Sequence, residues 1–458
     1  MGNLSMATIG ELTAMARGEA SHAEQTRING VGTDTRKNLD GQLFVAIRGA
    51  RFDGHDHLEA AAKAGASAVL VERGTNVSRE VPAIVVPDTV AALGLMAAAW
   101  RTSMRQLKVV AITGTAGKTT TKDTLADICA RARSTTRSPR SFNNSIGVPL
   151  TILATRASDE VLVAEVGTSS PGEIAPLAAM LQPDVAVVTL VGEGHLAGLG
   201  TLEAVAAEKY ELVNAVATGG HAIVHASSLP SPTCAGHLET YGDTDRADHT
   251  IEDRGPGWMM FEGRRWQLGL PGAHGALNSV AALLAARRIG IDDQSIAAGL
   301  EAATPPAHRM SRCTVNGVSI IDDTWNANPE SMAAVLRTLP EMQPYPGRLI
   351  VVIGDMLELG ERSVPHHAAL AAVFADIASA IELDEVILVG PEMQALRVVL
   401  PEILIGVEVS SEPRPDEQAM SRIASRLARG DTVLFKGSRG IGLERVIECL
   451  ESGASAGE

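Results

Sequence analysis

Chemistry concentrates first in the stretch VVAITGTAGKTTTKDTL, Val109 to Leu125, where four strand-compatible residues run into Gly114-Thr115-Ala116-Gly117-Lys118-Thr119-Thr120. Backbone amides of such a loop, with the positive end of the helix it opens, can cradle phosphates while Lys118 neutralises their charge. Thr119 or Thr120 would then hold Mg2+. The longer pattern G-x-x-x-x-G-K-[ST] requires glycine at position 112, and Ile112 stands there, so the loop is a shortened one. The bland alternative is a Gly-rich turn with a solvent-facing lysine.

Other candidates end strands. In VLVAEVGTSSPGEI, Glu165 closes an apolar run and could serve a cation, since open α/β sheets place ligand chemistry at the carboxyl ends of strands. VVTLVGEGHLAGLGT delivers His195 in a Gly-rich loop, where an imidazole could bind metal or substrate, although a lone histidine is more often structural. In LEAVAAEKYELV, Glu208 and Lys209 read first as the solvated face of an amphipathic helix. IIDDTWNANPESM packs Asp322, Asp323, Asn326 and Asn328 behind a strand, either as a turn network or as contacts to ribose and substrate. LFKGSRG offers Lys436 and Arg439 to a carboxylate or phosphate.

The elements that must position these groups alternate strand and helix throughout. QLFVAIRG and SAVLVE with HLEAAAKAGA and TVAALGLMAAAW make a first α/β unit, residues 1–107. A second, 108–308, carries VLVAEVG, DVAVVTLVG and HAIVHA, ends in the helix NSVAALLAARRIG, and stops at the Pro305-Pro306 break. A third, 309–458, has strands at VSIIDD, RLIVVIGD, EVILVG and DTVLFKG. Such alternation predicts parallel sheets with right-handed crossovers in an α/β fold. With 458 residues and 45% hydrophobic side chains the chain can bury several cores, but aromatics are only 3%, so packing must rest on Ala, Val, Leu and Ile. A net charge of -15 argues against a nucleic-acid surface, which needs clustered Lys and Arg. Cys129, Cys234, Cys313 and Cys449 form no C-x-x-C pair, which speaks against structural zinc and a disulfide framework. The Met-Gly start lacks the Ser or Thr that lipidation wants at position 6, and no apolar run spans a membrane, so a cytoplasmic protein is expected.

Together these segments resemble the Mur ligases, ATP-dependent amide-forming enzymes of bacterial peptidoglycan synthesis whose phosphate loop has the short G-x-x-G-K-[ST]-[ST] form. SFNNSIGVPLTIL, GTSSPGEI, DDTWNANPESM, GDMLELGER and KGSRG point to the branch that joins D-alanyl-D-alanine to a UDP-N-acetylmuramoyl-tripeptide. The resemblance implies three domains: one for the UDP-sugar, a central phosphate-loop ATPase, and a Rossmann-like C-terminal domain for the incoming dipeptide and part of ATP. In DTRKNLDGQLFVAIRGARFDGHDH, Thr35 and Arg36 would approach the substrate nucleotide. Lys118 would contact ATP phosphates, Thr119 or Thr120 with Glu165 would hold Mg2+, and His195 would support a second Mg2+. Lys209 matches a lysine that many Mur ligases carry as a carbamate. Asn143 and Asn144 match substrate-side asparagines, Asn278 an adenine contact, and Arg309 with Asp323 residues near phosphate and ribose.

The implied chemistry is transfer of the ATP γ-phosphate to a substrate carboxylate, then displacement by an amine, in a cytoplasmic and monomeric bacterial enzyme. Rivals are the neighbouring Mur ligase that adds the third amino acid, a folate polyglutamylation enzyme, and a catalytically silent Mur-like module. Three positions depart from the family pattern. GAHGALNS has His274 and Asn278 but Gly275 where the first Asn of His-Asn-x-x-Asn is expected, Trp325 replaces a usual Tyr, and LDGQLF replaces a PGDLF turn.

Overall fold

A computed structural model describes residues 7–49, 52–194, 196–227 and 232–453. The predicted strands and helices of all three units are present, and the α/β class holds. Apolar runs such as Val161–Glu165, Val185–Val188 and Leu349–Gly354 are buried at every residue. That is the pattern of parallel strands covered on both faces by helices.

The central sheet runs, from one edge, Thr135–Arg137, Val161–Glu165, Lys108–Thr113, Val185–Val188, His221–His225, His237–Gly242 and His249–Gly255, all parallel. Two antiparallel strands, Trp258–Phe261 and Arg264–Gln267, extend it. The phosphate-loop strand Lys108–Thr113 is therefore flanked by the strands that end in Glu165 and lead toward Thr189. The C-terminal sheet orders Ser311–Val315, Val318–Asp323, Thr432–Lys436, Leu349–Gly354, Glu385–Val389 and Glu408–Glu412, parallel except for the first. This order brings Asp323 and Lys436 opposite one another. The N-terminal unit holds a five-stranded sheet that ends in Ala83–Val86 and an exposed-edge pair, Glu19–Ala20.

The N-terminal unit has a small core of its own, around Leu39, Phe44, Val69 and Val71, and shares a larger one with the central unit. Its helix Thr89–Ser103 buries Leu93, Met96 and Ala97 in one cluster with Val148, Ile152, Leu177 and Leu181 of the central unit. Helix Gly272–Arg288 fills the other face of the central sheet with Val280 to Ala286. Small side chains let that helix approach closely, which offsets the scarcity of aromatics.

Candidate active site

Strand Lys108–Thr113 enters the loop Gly114–Gly117, and helix Lys118–Cys129 follows directly. Gly114 has φ 149° and Gly117 φ 87°, backbone that side-chain-bearing residues rarely adopt. Space forbids a side chain as well: a Cβ would lie 1.9 Å from Thr189 Oγ1 at Gly114 and 2.4 Å from Asn278 Oδ1 at Gly117. The loop is pinned to the next strand, with Thr115 N–H donating to the Leu190 carbonyl (2.7 Å) and Thr189 Oγ1 donating to the Ala116 carbonyl (2.6 Å). A rigid, glycine-lined nest of amides results, the arrangement that receives an anion at a helix start.

Lys118 folds back over the loop, donating to the carbonyls of Gly114 (2.6 Å) and Thr115 (3.2 Å). Burial pushes its ammonium down to about 8, Glu165 opposing and Arg309 adding to that push. Thr119, buried, donates to Glu165 Oε2 at 2.8 Å, and Asn143 Nδ2 donates to Glu165 Oε1 at 2.9 Å. A hydroxyl and a carboxylate side by side are hard oxygen ligands suited to Mg2+, and among the described residues no group of three His, Cys, Asp or Glu could hold an ion by protein ligands alone. Mg2+ commonly keeps waters and substrate phosphates as further ligands, so this donor set fits it. Thr120 lines the adjoining cavity.

That cavity, about 390 Å3, lies between the central and C-terminal units and is lined by Gly117, Thr120, Asn278, Arg309, Asp323, Trp325 and Lys436, among others. Its size suits a nucleotide. Asn278 Oδ1 accepts from Thr121 Oγ1 at 3.3 Å. Gly275 is packed so close to Leu270 that a Cβ would meet its backbone at 3.0 Å, so the asparagine expected there would need the chain to shift. Trp325 carries two guanidinium groups, Arg439 at 4.4 Å and Arg309 at 5.5 Å from the ring centre. Its indole thus gathers positive charge at the cavity mouth.

Glu208 and Lys209 do not lie on the expected solvated face of helix Leu202–Asn214. Lys209 is 1% exposed and Glu208 7%. Glu208 accepts from the N–H groups of Gly172 (2.7 Å) and Ile174 (2.8 Å), satisfying amides at the start of a neighbouring helix. Lys209 has no hydrogen bond or ion pair among the described residues, and burial first, then the Lys118 charge, hold it well below its ordinary value. The interior of the sheet's helical layer, which spacing on one helix cannot reveal, decided this.

Lys436 is likewise buried and spent: its ammonium meets Asp323 Oδ2 at 2.5 Å and the Asn326 carbonyl at 3.0 Å. Arg439 is exposed and has no ion pair among the described residues. Asn328 uses its side-chain oxygen to cap helix Pro329–Thr338, accepting from Ser331 N–H at 2.8 Å, while Asn326 stays exposed at the cavity. Asn144 Oδ1 accepts from the N–H of Ile146 and Gly147, ordering the turn into helix Gly147–Ala154. Thr35 and Arg36 sit in the N-terminal unit, away from the cavity lining, with Arg36 bonded to Asp34 at 2.9 Å. That contact holds the Asp34 carboxyl down to about 2. His195 lies outside the described residues.

Sequence reasoning missed a clasp between the central and C-terminal units. Glu193 pairs with Arg362, contacts His366 Nε2 at 3.1 Å, and donates its N–H to Glu330 Oε1 at 2.5 Å. Ala197 N–H donates to the Glu358 carbonyl at 3.1 Å. Glu330 and Glu358 fall inside the quoted motifs NANPESM and GDMLELGER, which was the available hint.

A phosphate loop, a hydroxyl–carboxylate pair beside it and a cleft lined by a second α/β unit define a nucleotide-using enzyme. Three family descriptions match in succession: "Mur ligase family, catalytic domain" over residues 27–101, "Mur ligase middle domain" over 112–286 and "Mur ligase, glutamate ligase domain" over 308–439. UDP-N-acetylmuramoyl-tripeptide–D-alanyl-D-alanine ligase of Bacillus subtilis is 34% identical, covering 97% of this chain and 98% of that protein. Its Escherichia coli counterpart is 32% identical with the same coverage, 97% and 98%. A crystal structure of MurF from Acinetobacter baumannii superposes with TM-score 0.83 at 28% identity, covering 98% of this chain and 100% of that one. MurF ligase from Thermotoga maritima in complex with ADP superposes with TM-score 0.75 at 30% identity, covering 93% and 97%. The chain belongs to the Mur ligase family, and it is a ligase.

Proposed function

We propose that the protein joins D-alanyl-D-alanine to UDP-N-acetylmuramoyl-tripeptide in peptidoglycan precursor synthesis, using ATP. The observation that carries this reading is the near-complete match to ligases of that name, together with retention of the Lys118 loop and the Thr119–Glu165 pair. The γ-phosphoryl group passes to the tripeptide carboxylate, giving an acyl phosphate, and the dipeptide amine displaces phosphate through a tetrahedral intermediate. Carboxylate and phosphate repel each other, so the residues present work by screening and positioning. Loop amides and Lys118 hold the phosphates, and Thr119 with Glu165 would hold Mg2+, which supplies Lewis-acid charge neutralisation when bound. His195 is assigned to a second ion by family resemblance. Lys209, buried and without a hydrogen bond or ion pair among the described residues, is suited to attack CO2 as a free amine, forming a carbamate with release of a proton; the new carboxylate would face Lys118. The clasp at Glu193 links the central and C-terminal units, which must stay together while the acyl phosphate lives.

Domain roles follow: UDP-sugar on 1–107 with Thr35 and Arg36, nucleotide on 108–308, incoming dipeptide and part of the nucleotide on 309–458. Arg439, exposed and unpaired among the described residues, is the cation for the dipeptide carboxylate, while Asn143, Asn144, Asn326 and Asn328 border the reacting groups. Among the described residues no helix is long and apolar enough to cross a membrane. Phosphate release should require ATP and Mg2+ with both co-substrates, and mass spectrometry should find the joined UDP-pentapeptide. Tripeptides ending in diaminopimelate and in lysine are both offered. ATP hydrolysis that proceeds equally without D-alanyl-D-alanine, with no amide product, would overturn the assignment.

A further inference from the structure

One polar group in the nucleotide cavity has no use in the scheme above. His225, the last residue of strand His221–His225, lines the cavity and is only 7% exposed, yet its Nε2 has no hydrogen-bond partner among the described residues. A buried polar atom left without a partner costs about 1–3 kcal/mol, so it is rarely left idle. Its other nitrogen is occupied. Ser227 donates to Nδ1 from its backbone N–H at 3.3 Å, and Ser227 Oγ lies 2.7 Å from the same atom. A backbone N–H can only donate, so Nδ1 is the acceptor and the ring proton sits on Nε2. Burial lowers the tendency of the ring to take a second proton. The Tyr241 ring stands edge-on at 5.2 Å, 89° from the imidazole plane, and holds the ring in place.

Gly275 lines the same cavity, at the position where the family pattern places an asparagine, and a Cβ there would press on Leu270 at 3.0 Å. The cavity therefore lacks one amide and contains instead a fixed, unused N–H donor on a different element. Resting on the nucleotide reading above, we propose that His225 is a specificity residue whose Nε2–H donates to an acceptor ring nitrogen of the adenine base. Such a donor contributes to affinity without touching the phosphates. It favours a base presenting a lone pair at that edge and rejects one presenting a hydrogen.

Equilibrium binding to the full chain, without turnover, tests this by calorimetry with ATP, with 1-deaza-, 3-deaza- and 7-deaza-ATP, and with 2′-deoxy- and 3′-deoxy-ATP. His225→Phe keeps the ring and its packing but removes the donor, and ATP should bind about 10-fold more weakly. One deaza analogue should bind the parent protein comparably weakly and be indifferent to the substitution. His225→Asn, which retains an N–H donor, should recover part of the loss for ATP alone. Unchanged ATP affinity in His225→Phe, an equal loss for every analogue, or a loss that follows the deoxy analogues instead would each overturn the proposal. A parent protein that binds ATP in a manner sensitive to Lys118→Met, while failing the deaza test, removes only the His225 assignment. A parent that binds no ATP removes the nucleotide reading and this one together.

Discussion

Replacing Lys118 by Met should separate function from stability in opposite directions along the pH scale. The change removes the charge and keeps the length of the side chain. Burial brings the ammonium from 10.5 to about 8, which at ~1.36 kcal/mol per pH unit is roughly 3 kcal/mol, reduced to about 2 because the side chain is partly exposed. Against this stand two hydrogen bonds to the carbonyls of Gly114 and Thr115, each contributing about 1 kcal/mol. The two effects cancel near pH 7, so Lys118→Met should match the parent within ~1 kcal/mol in urea unfolding. The folded-state value is depressed, so between pH 8 and 10.5 the unfolded chain binds more protons than the folded one, and the parent gains stability as pH rises. The neutral amine keeps its hydrogen bonds, and Met gains nothing. At pH 9.5 the parent should therefore exceed the variant by about 1–2 kcal/mol more than at pH 7. ATP affinity should fall about 100-fold or more at pH 7, the loss of a charge-assisted phosphate contact. A stability gap that is the same at both pH values, or ATP binding within threefold of the parent, would refute the reasoning.

Other expectations concern single residues. Lys209→Ala should slow turnover strongly and be partly rescued by short carboxylic acids that fill the vacated space; an unmodified amine in an ATP-bound crystal grown with bicarbonate would exclude the carbamate. Arg439→Ala should raise the KM for D-alanyl-D-alanine about 10-fold or more and leave that for the UDP-tripeptide nearly unchanged. Lys436→Ala should instead weaken ATP binding and stability together, because it leaves half-buried Asp323 without its cation; a KM rise confined to the dipeptide would reverse that reading. Glu193→Ala removes the pairs to exposed Arg362 and to half-buried His366, so kcat should fall only about 2- to 5-fold, with a larger radius of gyration by small-angle scattering in the presence of ATP. An unchanged radius would show that the clasp does not hold the domains.

Local pattern determined the central apolar strands and the helices between them, because a buried parallel strand must be apolar throughout and a helix must show its own period; the polar strands His237–Gly242, His249–Gly255 and Arg264–Gln267 carry no such signal and were not legible. It also determined the phosphate loop: glycines at Gly114 and Gly117, then Lys118 and Thr119, are a contiguous chemical unit, and contiguous units survive being read in one dimension. Glu165 was legible for the same reason, as a carboxylate at the carboxyl end of an apolar run. What belongs to several elements at once was not. Lys209 looks solvated on its own helix, and only packing of that helix on the sheet buries it next to Lys118. Lys436 looks free at a strand end, and only the parallel pairing of Val318–Asp323 with Thr432–Lys436 places it on Asp323. Glu193 and Arg362 lie 169 residues apart on different units, so local sequence could mark Arg362 as part of a motif but not name its partner. His225 reads as one more strand residue until the Tyr241 ring packs against it and the fold turns it into the same cavity as Gly275. Burial and long-range pairing set charge states and free valences, and both are properties of the folded chain.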